Sequence, residues 1–581
     1  MEHTTLSGPG LPSASEQKQK RLALWLQFPR RALFLLIAFG LGAFLFPLLR
    51  GLLGDDITRP GALFDLGQSY ALHRPVSDVI VEHLPNTLLL LGLAFGAALL
   101  ISFVTTTVAF FTHRLEDRST SWGFLLNRLG RLWIFADIAL PSFVLGLLLI
   151  WVFAIRLDLL PAFGLYSPES IGDPADRIRH LILPVAALVF MPAGLAAQAA
   201  ARRIRLAGQK GFRAWLAGIF NLLAGLFRQT GGVLGAIILT ESVFAWPGIG
   251  RLIYQATGML DIPLLFGCTA TIALLVLAGR LCAELFDWLA RIADPEPTVP
   301  PEPNASLKKA RKTWLIIVLV LLAILLSWTI YGMSVSQNAV YETSLTGKNY
   351  RPPSAAHLLG TDRLGRDTWA RLARGSAITF GMAAAVSGIT LVLAFPSGLL
   401  AGWLSRRRKW WADVLSDLAL LPADIVLFLP AVIGGTLLVV IQRGMHLSDL
   451  DSTWVLAGGL TSILILPRMT RLMAQLWTDA PDGKAFKRAG ISLAGLFLGG
   501  LFSGSVILTS LSFFGVGINP PAPSLGGMLT ELLYEGLLFR GISSPLAAGL
   551  VLWFSLWVFY LAADSLLGDW PGKDAMHWLN A

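Results

Sequence analysis

The chain has little charge and almost no cysteine. Only 14% of its 581 residues are charged, against about 25% in an ordinary soluble domain. Both cysteines, Cys268 and Cys282, fall in one apolar run. On a helix they stand ~21 Å apart along the axis, beyond disulfide reach, so the sequence offers no thiol chemistry. Catalytic motifs are missing as well. No G-x-x-x-x-G-K-[ST] phosphate loop occurs. The nearest string, GDWPGKDA at Gly568–Ala575, has the wrong spacing and puts Asp574 where the metal-binding hydroxyl belongs. No H-E-x-x-H is present, and the eight histidines are scattered without a Cys/His cluster. Hydrolysis of ATP by this chain, a metal site and a bound cofactor are therefore not expected.

What is present is apolar sequence in long runs. Hydrophobic residues make up 55% of the chain, and runs of about 20 residues recur, the length that spans a bilayer. The fold class expected is an all-α polytopic membrane protein. Twelve helices are expected in two six-helix halves. In the first half they fall at Ala32–Leu49, Leu88–Phe111 (capped by Asn86 and Thr87), Leu132–Ile155, Leu181–Ala200, Gly231–Phe244 and Ile262–Leu285. The second half places them at Trp314–Tyr331, Ile378–Leu404, Val414–Ile441, Trp454–Leu476, Ala489–Leu511 and Pro545–Leu567.

Between the halves lies Arg291–Lys312, with five prolines from Pro295 to Pro303. These deny it helical hydrogen bonds and favour an extended spacer. The division expected is a tail over 1–31, a first domain over 32–290, a linker over 291–313, a second domain over 314–570 and a tail over 571–581. The net charge of +10 sits largely in short clusters beside apolar spans, such as Arg202–Arg213 and Arg406–Lys409. That is the pattern of cytoplasmic loops rather than of nucleic-acid binding. It puts both termini and the linker in the cytoplasm. The loop Gly332–Gly375, with six basic residues, fits that rule poorly, but the rule weakens for long loops.

Ionisable groups near membrane depth usually face protein or water, which makes Asp137, Glu241 and Asp424 candidates for a translocation path, with helix caps as the other reading. In ESVFAWPGIG, Pro247, Gly248 and Gly250 break a helix, while Phe244 and Trp246 suit an interfacial aromatic belt. A plain turn and a gate on a substrate path both fit. In GTDRLGRD, Asp362 and Asp367 can pair with Arg363, Arg366 or Arg371, or be solvated.

Several strings are more specific: LGQSYALHRPVSDVI (Leu66–Ile80), LPNTLLL (Leu84–Leu90), ESVFAWPGIGRL (Glu241–Leu252), ADPEP (Ala293–Pro297), PPSAAHLLGTDRLGRDTWARL (Pro352–Leu372) and LSFFGVGINPPAPSLGGML (Leu511–Leu529). In that order they resemble the paired permeases of dipeptide, oligopeptide and nickel ABC importers, the first half resembling one permease and the second its partner, here fused. The resemblance implies a type I importer fold in the bacterial inner membrane. It also implies two ABC ATPase subunits and a periplasmic solute-binding protein as partners, with ATP used by those subunits. Its outer turns would hold Trp246, Pro247, Gly248, Gly515, Gly517, Pro520 and Pro521. The family's coupling loops to the ATPases would fall at Arg205, Lys210, Gly211 and Arg213, and at Lys487, Arg488, Gly490 and Ser492. There Gly211 and Gly490 would end a short helix. Both loops lack the family's glutamate and are shortened. A secondary active transporter with two six-helix halves is the alternative, though the spans lack a clear buried ion-coupling cluster.

Overall fold

A computed structural model describes residues 28–41, 66–116, 140–189, 212–293, 305–343, 350–407, 410–427, 450–478 and 485–567, apart from 516, 519, 541 and 543. Helices dominate, and the β-pairing among the described residues is confined to two isolated bridges. In chain order the first-half helices are α1 (28–41), α2 (Val76–Glu116), α3 (Ser142–Leu149, continued by a π-helix over Ile150–Arg156), α4 (174–189), α5 (Phe212–Arg228), α6 (Thr230–Val243), α7 (Ile249–Met259) and α8 (Ile262–Ala293). The second half contains α9 (Ala305–Ser334), α10 (Gln337–Tyr341), α11 (Thr368–Ser405), α12 (Trp410–Leu427), α13 (Leu450–Thr478), α14 (Ala485–Phe513), α15 (Leu525–Tyr534) and α16 (Leu546–Leu567).

Six of these contain segments long and apolar enough to cross a membrane: Val76–Val104, Ile262–Ala293, Leu315–Ser334, Thr368–Ser405, Ser492–Phe513 and Leu546–Ala563. The bent pair α5–α6, angled at 46°, makes a seventh if it is one span. The chain is thus an all-α, multi-pass membrane protein.

Some boundaries differ from those expected. Helix α2 starts at Val76 and runs through Pro85, so Asn86 and Thr87 lie inside it and cap nothing. A proline removes one helical donor, a loss that membrane helices tolerate where other groups compensate. Helix α5 occupies sequence read as loop; its Trp215, Ile219, Leu223 and Phe227 recur at helical spacing. Helix α9 begins at Ala305 and takes in Lys308–Lys312.

Helix α11 packs against α9, α12, α13, α14 and α16. Lipid is as apolar as a leucine side chain, so helices associate there through close packing and interhelical hydrogen bonds. Both occur where α11 meets α14. The Ser387 hydroxyl donates to the Phe497 carbonyl at 2.7 Å. A Cβ at the adjoining Gly500 would overlap Ser387 and Met469.

Candidate functional site: two matched helix breaks

In each half a long helix breaks, a short helix follows, and the next long helix begins. In the first half α6 ends at Val243 and α7 starts at Ile249 after a turn in which Ala245 has φ +50°. Glu241, fully buried, reaches forward to the start of α7. Its Oε2 accepts from the Gly250 and Arg251 amides at 2.6 and 3.2 Å. Its Oε1 accepts from the Thr87 hydroxyl of α2 at 2.7 Å, and that hydroxyl accepts from the Ile249 amide at 2.8 Å. A carboxylate there satisfies orphan amides and sits at the positive end of the helix dipole. Glu241 is therefore the cap of α7, the second of the two roles its sequence position allowed.

The turn is tied down from α2 as well. Asn86 Nδ2 donates to the Pro247 carbonyl at 2.9 Å, and Trp246 Nε1 to the Asn86 carbonyl at 3.4 Å. Trp246 and Phe244 are 0% and 2% exposed, so they are core residues rather than an interfacial belt. At Gly248 a Cβ would overlap the Glu241 carboxylate, and at Gly250 the backbone of Ile238. Only glycine lets α7 approach this closely.

The second half repeats the construction. Helix α14 ends at Phe513, and the chain turns through Gly515 (φ +73°), Gly517 (φ +108°) and the cis-linked pair Pro520–Pro521. Ser524 caps α15 by accepting from the Gly527 amide at 3.1 Å. The Leu525 amide donates to the Thr379 hydroxyl of α11 at 3.5 Å, as Ile249 does to Thr87. Thr87 and Thr379 stand at the same step from the starts of α2 and α11. Gly526, like Gly250, lies against the backbone of the preceding long helix, here Thr509 and Phe513.

The loops before α2 and α11 match too. Gly67 and Gly360 have φ +74° and +73°, and their carbonyls accept from the first helical amides, Val76 and Thr368, each at 3.1 Å. The bridges Gln68–Pro75 and Thr361–Asp367 close the two loops. Each loop is pinned to the end of its short helix, but by different chemistry. In the first, Asp261 after α7 accepts from the Ser69 hydroxyl at 2.5 Å and the Ala71 amide at 3.0 Å. In the second, Asp362 pairs with Arg366 at 2.6 Å and with Arg371 at 2.5 Å. Arg371, 3% exposed, also forks onto both oxygens of Glu531 in α15 at 2.7 and 2.9 Å. Tyr350 donates to Glu535 at 2.5 Å; partial burial and that acceptor push its phenol up to about 12. Asp367 differs from expectation. It pairs with His357 at 3.2 Å and caps α11 through the Trp369 amide at 2.8 Å.

The two breaks meet. Tyr254 of α7 packs on Phe514 at 5.4 Å between ring centres, and Phe143 of α3 on Phe513 at 5.0 Å. Phe143, Phe513 and Phe514 are buried. An aromatic seam therefore closes the contact between the halves at this end of the bundle.

The other sites read from the sequence are not gathered here. Asp137, Arg205, Lys210 and Gly211 lie outside the described residues, as does the side chain of Asp424 on α12. Arg213 is exposed in the first turn of α5. Lys487, Arg488, Gly490 and buried Ser492 all belong to α14, so Gly490 is interior to a helix and ends none. Sequence reading missed Thr87 as a partner of the break, and with it Thr379, Asp261, Glu531 and Glu535. One signal was available: an acid in the last turn of an apolar helix, followed at a short interval by Gly-x-Gly at a new helix start.

Comparison with known proteins adds the family. Residues 217–297, which contain the first break, match the binding-protein-dependent transport system inner membrane component family. A putative peptide transport system permease protein of Brucella suis is 31% identical over 253 residues, covering 40% of this chain and 75% of its own. The oligopeptide transport system permease protein AppB of Bacillus subtilis is 30% identical over 240 residues, 38% of this chain and 72% of its own. The dipeptide transport system permease protein DppB of Alkalihalophilus pseudofirmus is 28% identical over 256 residues, 38% and 74%. Each match thus covers about two-fifths of this chain.

Proposed function

The chain belongs to the family of inner-membrane components of binding-protein-dependent transport systems, and on that premise we propose that it supplies both permease halves of one peptide importer. The observation that carries this reading is the matched pair of helix breaks, one held by Thr87 of α2 and the other by Thr379 of α11. A single relative accounts for about 40% of the chain, and a second copy of the same construction accounts for the other half. Residues 32–290 and 314–570 are the two permease domains, joined through 291–313. Twelve spans place both termini and the linker in the cytoplasm.

In this reading the aromatic seam of Phe143, Tyr254, Phe513 and Phe514 is the gate on the face that receives solute from a periplasmic binding protein. Two ATPase subunits drive the opening and closing from the other face. They engage the basic segments around Arg205–Arg213 and Lys487–Ser492, where Gly211 and Gly490 are the positions to test. The substrate class is short peptides, as the names of the relatives suggest.

The test is reconstitution in proteoliposomes with two ATPase subunits and a binding protein encoded beside this chain. The expected result is ATP-dependent uptake of labelled trialanine by an assembly with one copy of the chain. An assembly needing two copies per pathway would overturn the fused-pair reading. Uptake driven by an ion gradient without ATP would favour a secondary transporter.

A further inference from the structure

The end of the bundle away from the breaks contains a buried cation that makes no ion pair among the described residues. Arg280 lies on α8, ~27 Å along the axis from Ile262 at 1.5 Å per residue. It is 9% exposed, and its Nε is buried without a hydrogen-bond partner. Among the described residues its guanidinium makes no ion pair. The acids nearest along its own helix are already engaged: Glu284 with Arg31 at 3.0 Å, and Asp287 with Arg228. Charges that act on Arg280 include Arg228 and Glu284, and it acts in turn on Arg468 and Arg471 of α13. Arg280 belongs to the first half and α13 to the second, so like charges from both halves act on one another here.

A buried guanidinium is costly unless acceptors satisfy it, and intramembrane cations usually mark a pathway or a ligand. Its fork of donors matches a carboxylate bidentately. The side chain is buried and lies within electrostatic reach of Arg468 and Arg471 of the second half, which favours a small solute admitted into the bundle over a lipid headgroup held outside it. We propose that Arg280, with Arg468 and Arg471, forms an anion-binding step on the transport path that takes the carboxylate of the passing solute. This rests on the peptide-importer reading given above.

The experiment uses the purified full chain in nanodiscs, with thermal unfolding followed against concentration of three probes: trialanine, trialanine C-terminal amide and inorganic phosphate. The expected result is a saturable stabilisation by trialanine, with half-saturation for the amide weaker by about 10-fold or more, the loss typical of a charge-assisted pair. In Arg280→Gln the acid should fall to the level of the amide, while Arg280→Lys keeps part of the difference. Without ligand, Arg280→Met should melt no lower than wild type, because it removes a buried charge that makes no ion pair among the described residues; a residue needed only for packing would melt lower. Equal responses to acid and amide in the wild type, a trialanine response that survives in Arg280→Gln, or a response to phosphate alone would each overturn the proposal. A chain that imports trialanine with its partners yet fails these binding tests loses the anion step alone. Failure of import in the reconstituted system strikes the importer reading instead.

Discussion

Glu241 shows how one buried side chain at membrane depth can cap a helix. Its two oxygens take three hydrogen bonds, from Thr87, Gly250 and Arg251. Glu241→Ala leaves two buried amides and a hydroxyl without an acceptor, at about 1–3 kcal/mol for each orphaned group. Thr87→Val removes one donor to the carboxylate and the acceptor for Ile249. The two variants should couple, because they share a network. A double-mutant cycle of unfolding in detergent checks this, and strictly additive losses would mean that the two residues act apart. Sequence alone could rank Glu241 among the acids at membrane depth but could not choose its role, since its partners lie on α2 and α7, the former 154 residues away. Tyr350 gives a pH signature at the same scale. Its folded pKa, pushed up to about 12 by burial and Glu535, exceeds the ordinary tyrosine value of about 10. Its contribution to the fold is therefore complete below pH ~10 and is lost as pH rises through about 12. Subtracting the tyrosinate absorbance titration of Tyr350→Phe from that of wild type should leave a late-titrating component. A component titrating near pH 10 would contradict the contact.

The short helices α7 and α15 are held at both ends, and their far ends differ in charge. Asp261 receives neutral donors, whereas α15 is fastened through Asp362, Arg371 and Glu531. Removing Arg371 takes its fork from Glu531 and leaves Asp362 to Arg366 alone, so Arg371→Ala should cost about 3 kcal/mol, the low end of the range for breaking a buried pair. Arg371→Ala with Glu531→Gln should recover part of that loss. Thermal unfolding of the three variants decides it, and a single variant as stable as wild type would reduce the clasp to a surface contact. Much at this scale was legible in the sequence. The break at Gly248 followed from proline and glycine punctuation, the turn at Gly515 came with the family resemblance, and the pairing of Asp362 with Arg366 and Arg371 was one of the readings open beside solvation. The start of α2 was not legible, because Pro85 signals a boundary only when nothing else holds the chain helical, and here Asn86 and Thr87 are anchored to the break. Helix α5 was hidden by its basic approach, which reads as loop until the period of Trp215, Ile219, Leu223 and Phe227 is counted. Asp367 was assigned to arginines because a cap and an ion pair draw on the same residue type.

For the whole molecule the first measurement is topology. Single cysteines placed at Ser306 and Ser354, in a background with Cys268 and Cys282 replaced, should label from opposite sides of the membrane. Labelling from one side would dismantle the twelve-span arrangement and with it the assignment of the gate. The joint between the halves has a consequence of its own. Helix α8 ends at Ala293 and α9 begins at Ala305, so the two halves are tethered by the eleven residues 294–304, at an effective concentration in the millimolar range typical of short linkers. Two separate permease chains must be made in equal amounts and must find each other in a crowded bilayer among similar subunits. Here translation fixes the ratio at one to one, and neither half can be captured by another transporter's subunit. If the seam around Phe143, Tyr254, Phe513 and Phe514 is the gate proposed above, it is freed from having to recognise its partner by affinity and can be as weak as rapid opening requires.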